Sequence, residues 1–172
     1  MTGFEVDLTD IDESGNVEVP PAQYLVEAEG WKYYISSPNE NPVILMRGRI
    51  LEGDYRGESV VGVSTITGHK FTRVKFKEHL EAFGLVSEED RDADTRKLRT
   101  SLSLSKVPDD SGKFDVEGVI INGTIKRPIG GRAIAIVTPR SDGKGTSVEK
   151  FVPPTSTASA PESRTAIADT IF

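Results

Sequence analysis

The stretch Val43–Leu51 alternates between apolar and other side chains, which is the pattern of a β-strand with two different faces. Met46 and the apolar residues two positions to either side fall on one face, whereas Arg47 and Arg49 fall on the other. The strand runs directly into Glu52–Gly57 (EGDYRG), whose glycines favour a tight turn. This pattern predicts a strand that covers a core and presents two guanidinium groups outward, which favours a binding protein over an enzyme.

Composition narrows the class of protein. The 172 residues are 36% hydrophobic, which is enough for one domain with one core. There is no cysteine, so disulfides and thiolate sites are excluded. Six acids and no Lys or Arg lie in residues 1–20, and they account for the net charge of −6. The remainder is balanced in charge, so it can carry a basic surface for nucleic acid.

The N-terminal sequence MTGFEVDLTDIDE lacks the basic start and apolar centre of a signal peptide. No apolar run approaches the roughly 20 residues that a membrane-spanning helix needs. We therefore expect a cytoplasmic protein with no membrane partner.

Proline, glycine and serine clusters divide the chain into an acidic arm (1–18), a folded domain (19–154) and a small polar tail (155–172) that is expected to be disordered. Alternation and β-branched content predict antiparallel strands across the domain. They are expected at Tyr24–Tyr34, Val43–Leu51, Ser59–Thr67, Arg132–Thr138 and Ser147–Val152.

The period changes between His69 and Gly84. Phe76, Leu80 and Phe83 are spaced as i, i+4 and i+7, which predicts one amphipathic helix that ends at Gly84. Phe71 and Val74 are expected to lie beside this apolar face, and Phe71, Phe76 and Phe83 are expected to be core residues rather than base contacts.

Residues 86–118 are charged and rich in serine, and we predict that they form a long mobile insertion. The Asn122-Gly123 pair that follows lies between apolar residues and predicts a β-hairpin over Val119–Ile125.

Four short motifs follow one another along the chain: PPAQYLVEAEG (Pro20–Gly30), EGDYRG (Glu52–Gly57), FKEHLEAFGL (Phe76–Leu85) and KFVPP (Lys150–Pro154). Their order resembles that of phage-encoded single-stranded-DNA-binding proteins with an oligonucleotide-binding (OB) fold. The departures are Ala22, where the family often has glycine, and the long insertion. The resemblance implies a mainly β, OB-fold-like, five-stranded antiparallel barrel with one helix. It also implies single-stranded DNA binding in phage DNA replication or recombination, in the host cytoplasm.

The tail ends in Asp169-Thr170-Ile171-Phe172. This ending is similar to the tip of bacterial single-stranded-DNA-binding proteins, which finishes Asp-Ile-Pro-Phe and docks on partner enzymes, although the run of acids is missing. The resemblance implies that Asp169, Ile171 and Phe172 dock on replication or recombination proteins. The alternative is that the tail end has no role.

Binding of single strands without sequence specificity needs aromatic faces beside cations. Trp31 and Tyr33 share one face of the first strand, and Arg47 and Arg49 on the next strand are predicted to complete a stacking platform with them. The alternative places Trp31 and Tyr33 in the barrel core. The other predicted nucleic-acid contacts are Tyr55, Arg56, Lys70, Arg73, Lys75, Lys77, Lys126, Arg127 and Arg132.

The sequence contains no recognisable catalytic arrangement of residues. His69 and His79 are the only histidines and have no third metal ligand near them in the chain. We therefore expect no enzyme activity, no cofactor and no metal. Two other functions remain open: a phage structural or adaptor β-barrel that docks on proteins, and a recombination accessory that also binds duplex DNA or RNA. An oligomer also remains possible.

Overall fold

The computed structural model describes residues 18–86 and 99–154. The acidic arm up to residue 17, the first part of the predicted insertion and the docking tip lie outside the described residues. Within those residues there are eight strands and one helix. They are β1 (Ala22–Ile35), β2 (Pro42–Ile50), β3 (Ser59–Thr65), α1 (Lys70–Ala82), β4 (Thr100–Leu104), β5 (Phe114–Ile121), β6 (Thr124–Lys126), β7 (Arg132–Pro139) and β8 (Thr146–Val152).

The strands form one antiparallel sheet around the long strand β1. β2 pairs with β1 along most of its length, β3 pairs with β2, β7 pairs with the first half of β1, and β8 pairs with β7. β3 and β8 meet where a Cβ on Gly62 would clash with the Phe151 ring, but no strand pairing joins them in the described residues. The predicted mainly β, OB-like fold is therefore confirmed, with a sheet that is not closed.

The predicted mobile insertion is wrong for residues 99–118. β4 and most of β5 lie in this region, and β5 extends the sheet by pairing with Lys32 and Tyr33 of β1. Val116 of this segment is buried in the core, although Asp115 and Glu117 flank it in the sequence. The described part of the domain therefore has eight strands rather than five.

The predicted hairpin is confirmed. Asn122 and Gly123 join β5 to β6 with φ values of 49° and 85°, and Ile121 pairs directly with Thr124. Positive φ at both turn residues matches the right-handed twist of the flanking strands, which is why Asn-Gly favours this turn.

Helix α1 packs against β8, β3 and β7, and its predicted C-terminus is confirmed. Gly84 has a φ of 76°, and the Leu85 amide donates to the Leu80 carbonyl at 2.9 Å, so the last turn is capped. Phe83 packs against Phe151, with ring centroids 4.8 Å apart. This helix is too short and too polar to cross a membrane, and no other helix is found in the described residues.

The apolar face of α1 is narrower than its sequence indicates. Leu80 and Phe83 are buried, but Phe71 and Val74 are 67% and 41% exposed. The prediction that Phe71 belongs to the core is therefore wrong. The buried residues of α1 are His79, Leu80 and Ala82, so only the C-terminal half of the helix packs into the core.

Candidate nucleic-acid interface

The predicted stacking platform does not form. Trp31 is 1% exposed and its ring packs edge-on against Phe83 at 5.2 Å, so no base can stack on it. Trp31 pairs with Met46 on the inner face of the sheet, and Arg47 therefore lies on the outer face. Placing Trp31 and Arg47 on one surface was wrong, and the core alternative is the correct one for Trp31.

The outer face instead carries alternating charges. Arg47 lies 3.3 Å from Glu29, Arg49 lies 3.8 Å from Glu27, and Arg132 on β7 lies 3.3 Å from Glu27. Exposed ion pairs of this kind contribute about 0–1 kcal/mol each, but they neutralise most of the field that a phosphate would meet. These three arginines are consequently weak candidates for phosphate contacts.

Tyr55 anchors the EGDYRG turn (Glu52–Gly57) by packing against Tyr24. The Tyr55 ring meets Tyr24 edge-on at 6.3 Å and is half-buried, whereas Arg56 is exposed. Tyr24 donates a hydrogen bond to the Pro20 carbonyl at 2.6 Å, and burial beside Tyr55 raises the pKa of Tyr24 to about 12. Two contacts were predicted in this turn. Tyr55 packs the turn against the start of β1, whereas Arg56 is available to a ligand.

A groove of about 870 Å³ runs between α1 and β4, and we call it the helix groove. Its rim carries Lys70, Arg73 and Lys77, which fall on one helix face at i, i+3 and i+7. No acidic side chain lines it within the described residues. Its floor is apolar and aromatic, and includes Tyr33, Phe76, Leu80, Leu102 and Leu104.

Only part of the predicted basic cluster on α1 lines the helix groove. Lys75 is exposed and does not line the groove, and it acts instead on the buried His79 one turn later. Lys77 keeps a weak contact with Glu81 at 4.0 Å. Three of the four predicted cations therefore line one groove, and Leu102 and Leu104 line it from the segment that was predicted to be an insertion. Leu102 and Leu104 alternate with serines in the sequence, and this alternation is the one sequence signal for their contribution.

The late basic residues lie elsewhere. Arg127 lines a second cleft with Glu117 and Trp31, and Lys126 is half-buried in β6. Neither residue lines the helix groove.

The two histidines lie in different surroundings, one buried and one exposed. His79 is 2% exposed, and its Nδ1 lies 3.0 Å from the Ser64 hydroxyl. Burial, with a smaller contribution from Lys75, lowers the pKa of His79 to about 4. His69 is exposed at the N-terminus of α1. No group of three or more potential ligands that could hold a metal is found in the described part of the chain.

No protein-family model and no curated protein matches this chain significantly. The functional argument therefore depends on the geometry of the helix groove and on the motif resemblance.

Proposed function

We propose that this protein binds single-stranded DNA in the helix groove, without sequence specificity and without enzymatic activity. One observation carries the proposal: three cations line a groove whose floor is apolar and aromatic and whose described lining contains no acid. Cations beside apolar surface suit a strand that exposes phosphates on one side and unstacked bases on the other.

Lys70, Arg73 and Lys77 hold the phosphates, and the bases lie against Tyr33 and Phe76 on the floor. Stacking on aromatic rings contributes about 1–3 kcal/mol per base and tolerates any sequence. Duplex DNA keeps its base faces stacked internally, so it can use only the cations. The groove therefore favours single strands over duplex.

The OB-like fold supports this proposal, since OB-folds commonly bind oligonucleotides. They commonly do so on the face of strands 2 and 3. Here that face carries the paired charges of Arg47 and Arg49, which is why the helix groove is preferred. We further propose, from the motif resemblance, a role in phage DNA replication or recombination in the host cytoplasm. Asp169, Ile171 and Phe172 would recruit partner proteins.

The test is a fluorescence-anisotropy titration of labelled oligo-dT and of an equally long duplex. Three neutralised phosphates predict a salt slope of about −2, so affinity for oligo-dT should fall about 20-fold between about 50 and 200 mM salt. Oligo-dT should bind well above duplex. Equal binding of both would favour the recombination accessory, and no binding at low salt would favour the protein-docking adaptor.

A further inference from the structure

β1 changes partners along its length, which opens a second cleft in the sheet. The segment Ala22–Glu27 pairs with β7, whereas Lys32 and Tyr33 pair with β5. Neither pairing covers residues 29–31 within the described chain. A cleft of about 600 Å³ lies beside Gly30 at this point, and we call it the junction cleft. It shares no lining residue with the helix groove.

The apolar surfaces of the junction cleft suit a flat ring. Ile125 and Ile129 line it and are 57% and 64% exposed, so together they offer apolar surface to a ligand. Gly30 has nothing within 4 Å of the position where a Cβ would lie, so this part of the cleft is open. Trp31 and Val116 are buried and form its floor. The volume is within the range of small-molecule sites.

The polar lining provides one available carboxylate and one available cation. Asp115 lines the cleft but is paired with Lys32 at 2.5 Å. The side chains of Glu117 and Arg127 have neither an ion pair nor a hydrogen bond with any described residue. The Ser103 hydroxyl adds a small donor and acceptor.

We propose that the junction cleft binds a guanine nucleotide, with Glu117 accepting hydrogen bonds from the base and Arg127 contacting the phosphate. A carboxylate accepts two parallel N–H groups, and guanine is the DNA base whose edge presents two adjacent donors, N1–H and N2–H. Thymine flanks its single N–H with carbonyls, which a carboxylate repels. Adenine and cytosine place a ring acceptor beside their amino group.

Trp31 is the only tryptophan in the chain, so emission excited selectively over the tyrosines reports on a residue that lines this cleft. The first experiment titrates the full chain with dGMP, dAMP, dCMP and dTMP at equal concentrations and follows Trp31 emission. We expect a saturable change with dGMP and a response at least about tenfold weaker with the other three. An equal response to all four nucleotides, or none at millimolar concentration, would overturn the proposal.

Two variants separate the base contact from general electrostatics. Glu117→Gln should weaken dGMP binding about tenfold or more, because the amide cannot accept from both N–H groups. Glu149→Gln makes the same change at an exposed carboxylate of β8 that lines neither the junction cleft nor the helix groove, so it should change dGMP affinity less than about twofold. Unchanged dGMP selectivity in Glu117→Gln would also overturn the proposal.

The nucleotide can be free or part of a strand, and a second titration distinguishes these sources. Oligo-dT with one central dG is compared with all-dT in wild type and in Glu117→Gln. A gain of about tenfold that disappears in the variant assigns the cleft to the strand, and dGMP binding without that gain assigns it to free nucleotide. Binding of dGMP without any binding of oligo-dT would refute the proposed function and leave this inference standing.

Discussion

His79 should make the stability of this domain depend on pH. The ring is buried against Phe151 at 5.5 Å, and Ser64 contacts one ring nitrogen. The other nitrogen, Nε2, has no hydrogen-bond partner among the described residues. The folded state therefore favours neutral imidazole, and the pKa falls from an unfolded value of 6.5 to about 4. The stability that the domain gains from keeping His79 neutral is fully present above pH 6.5 and is lost progressively as pH falls toward about 4.

The size of this effect follows from the shift. One pKa unit corresponds to about 1.4 kcal/mol, so the full effect is about 3 kcal/mol, of which about 2 kcal/mol is lost between about pH 7 and pH 5. Carboxylates also titrate in this range, and the comparison must therefore be made against His79→Gln, which keeps a polar side chain of similar reach but cannot be protonated.

The assay is urea unfolding of wild type and His79→Gln at both pH values. The variant should be less stable near pH 7, because Gln fits the site less well. Its free energy of unfolding should fall by about 2 kcal/mol less than that of wild type between pH 7 and pH 5. Equal losses in the two proteins would refute the argument that burial keeps His79 neutral.

Four further substitutions test the packing and the hairpin, each by urea unfolding. Gly62→Ala should destabilise by about 1–3 kcal/mol, because the new Cβ meets the Phe151 ring, and an unchanged midpoint would contradict the contact between β3 and β8. Phe83→Ala should cost about 3–5 kcal/mol, whereas Phe71→Ala, at an exposed position on the same helix, should stay within about 0.5 kcal/mol. Equal losses would mean that Phe71 is buried after all. Gly123→Val should cost about 1–2 kcal/mol, because φ is 85° there, and no loss would argue against this hairpin geometry.

Local patterns predicted the local structure well. The alternation in Val43–Leu51 assigned Met46 to the core and Arg47 to the surface, and both assignments agree with the structure. Asn122-Gly123 and Gly84 marked a hairpin and a helix end, because each needs a positive φ that few other residues adopt readily. Such signals act within a few residues, so they can be seen in one sequence.

Relations between distant segments were not predictable in the same way. Which face of β1 matches which face of β2 depends on strand register, and the irregularity between Ala28 and Gly30 shifts that register. The wrong prediction that Trp31 and Arg47 share one face of the sheet follows from this unpredicted shift. β4 was missed because its TSLSL sequence is short and polar, and it becomes a strand only through pairing with β5. Because residues of both α1 and β4 line the helix groove, the groove could not be predicted from the sequence.

The most direct test of the central claim compares two double variants with the same loss of charge. Arg73→Gln/Lys77→Gln changes the helix groove, and Arg47→Gln/Arg49→Gln changes the outer face. Each is titrated with oligo-dT across a range of salt concentrations, after circular dichroism has confirmed folding. The groove variant should bind more weakly, with a salt slope less negative by about 1.4, while the outer-face variant keeps the wild-type slope. Equal slopes for the two variants, or a loss confined to the outer-face variant, would contradict binding in the helix groove.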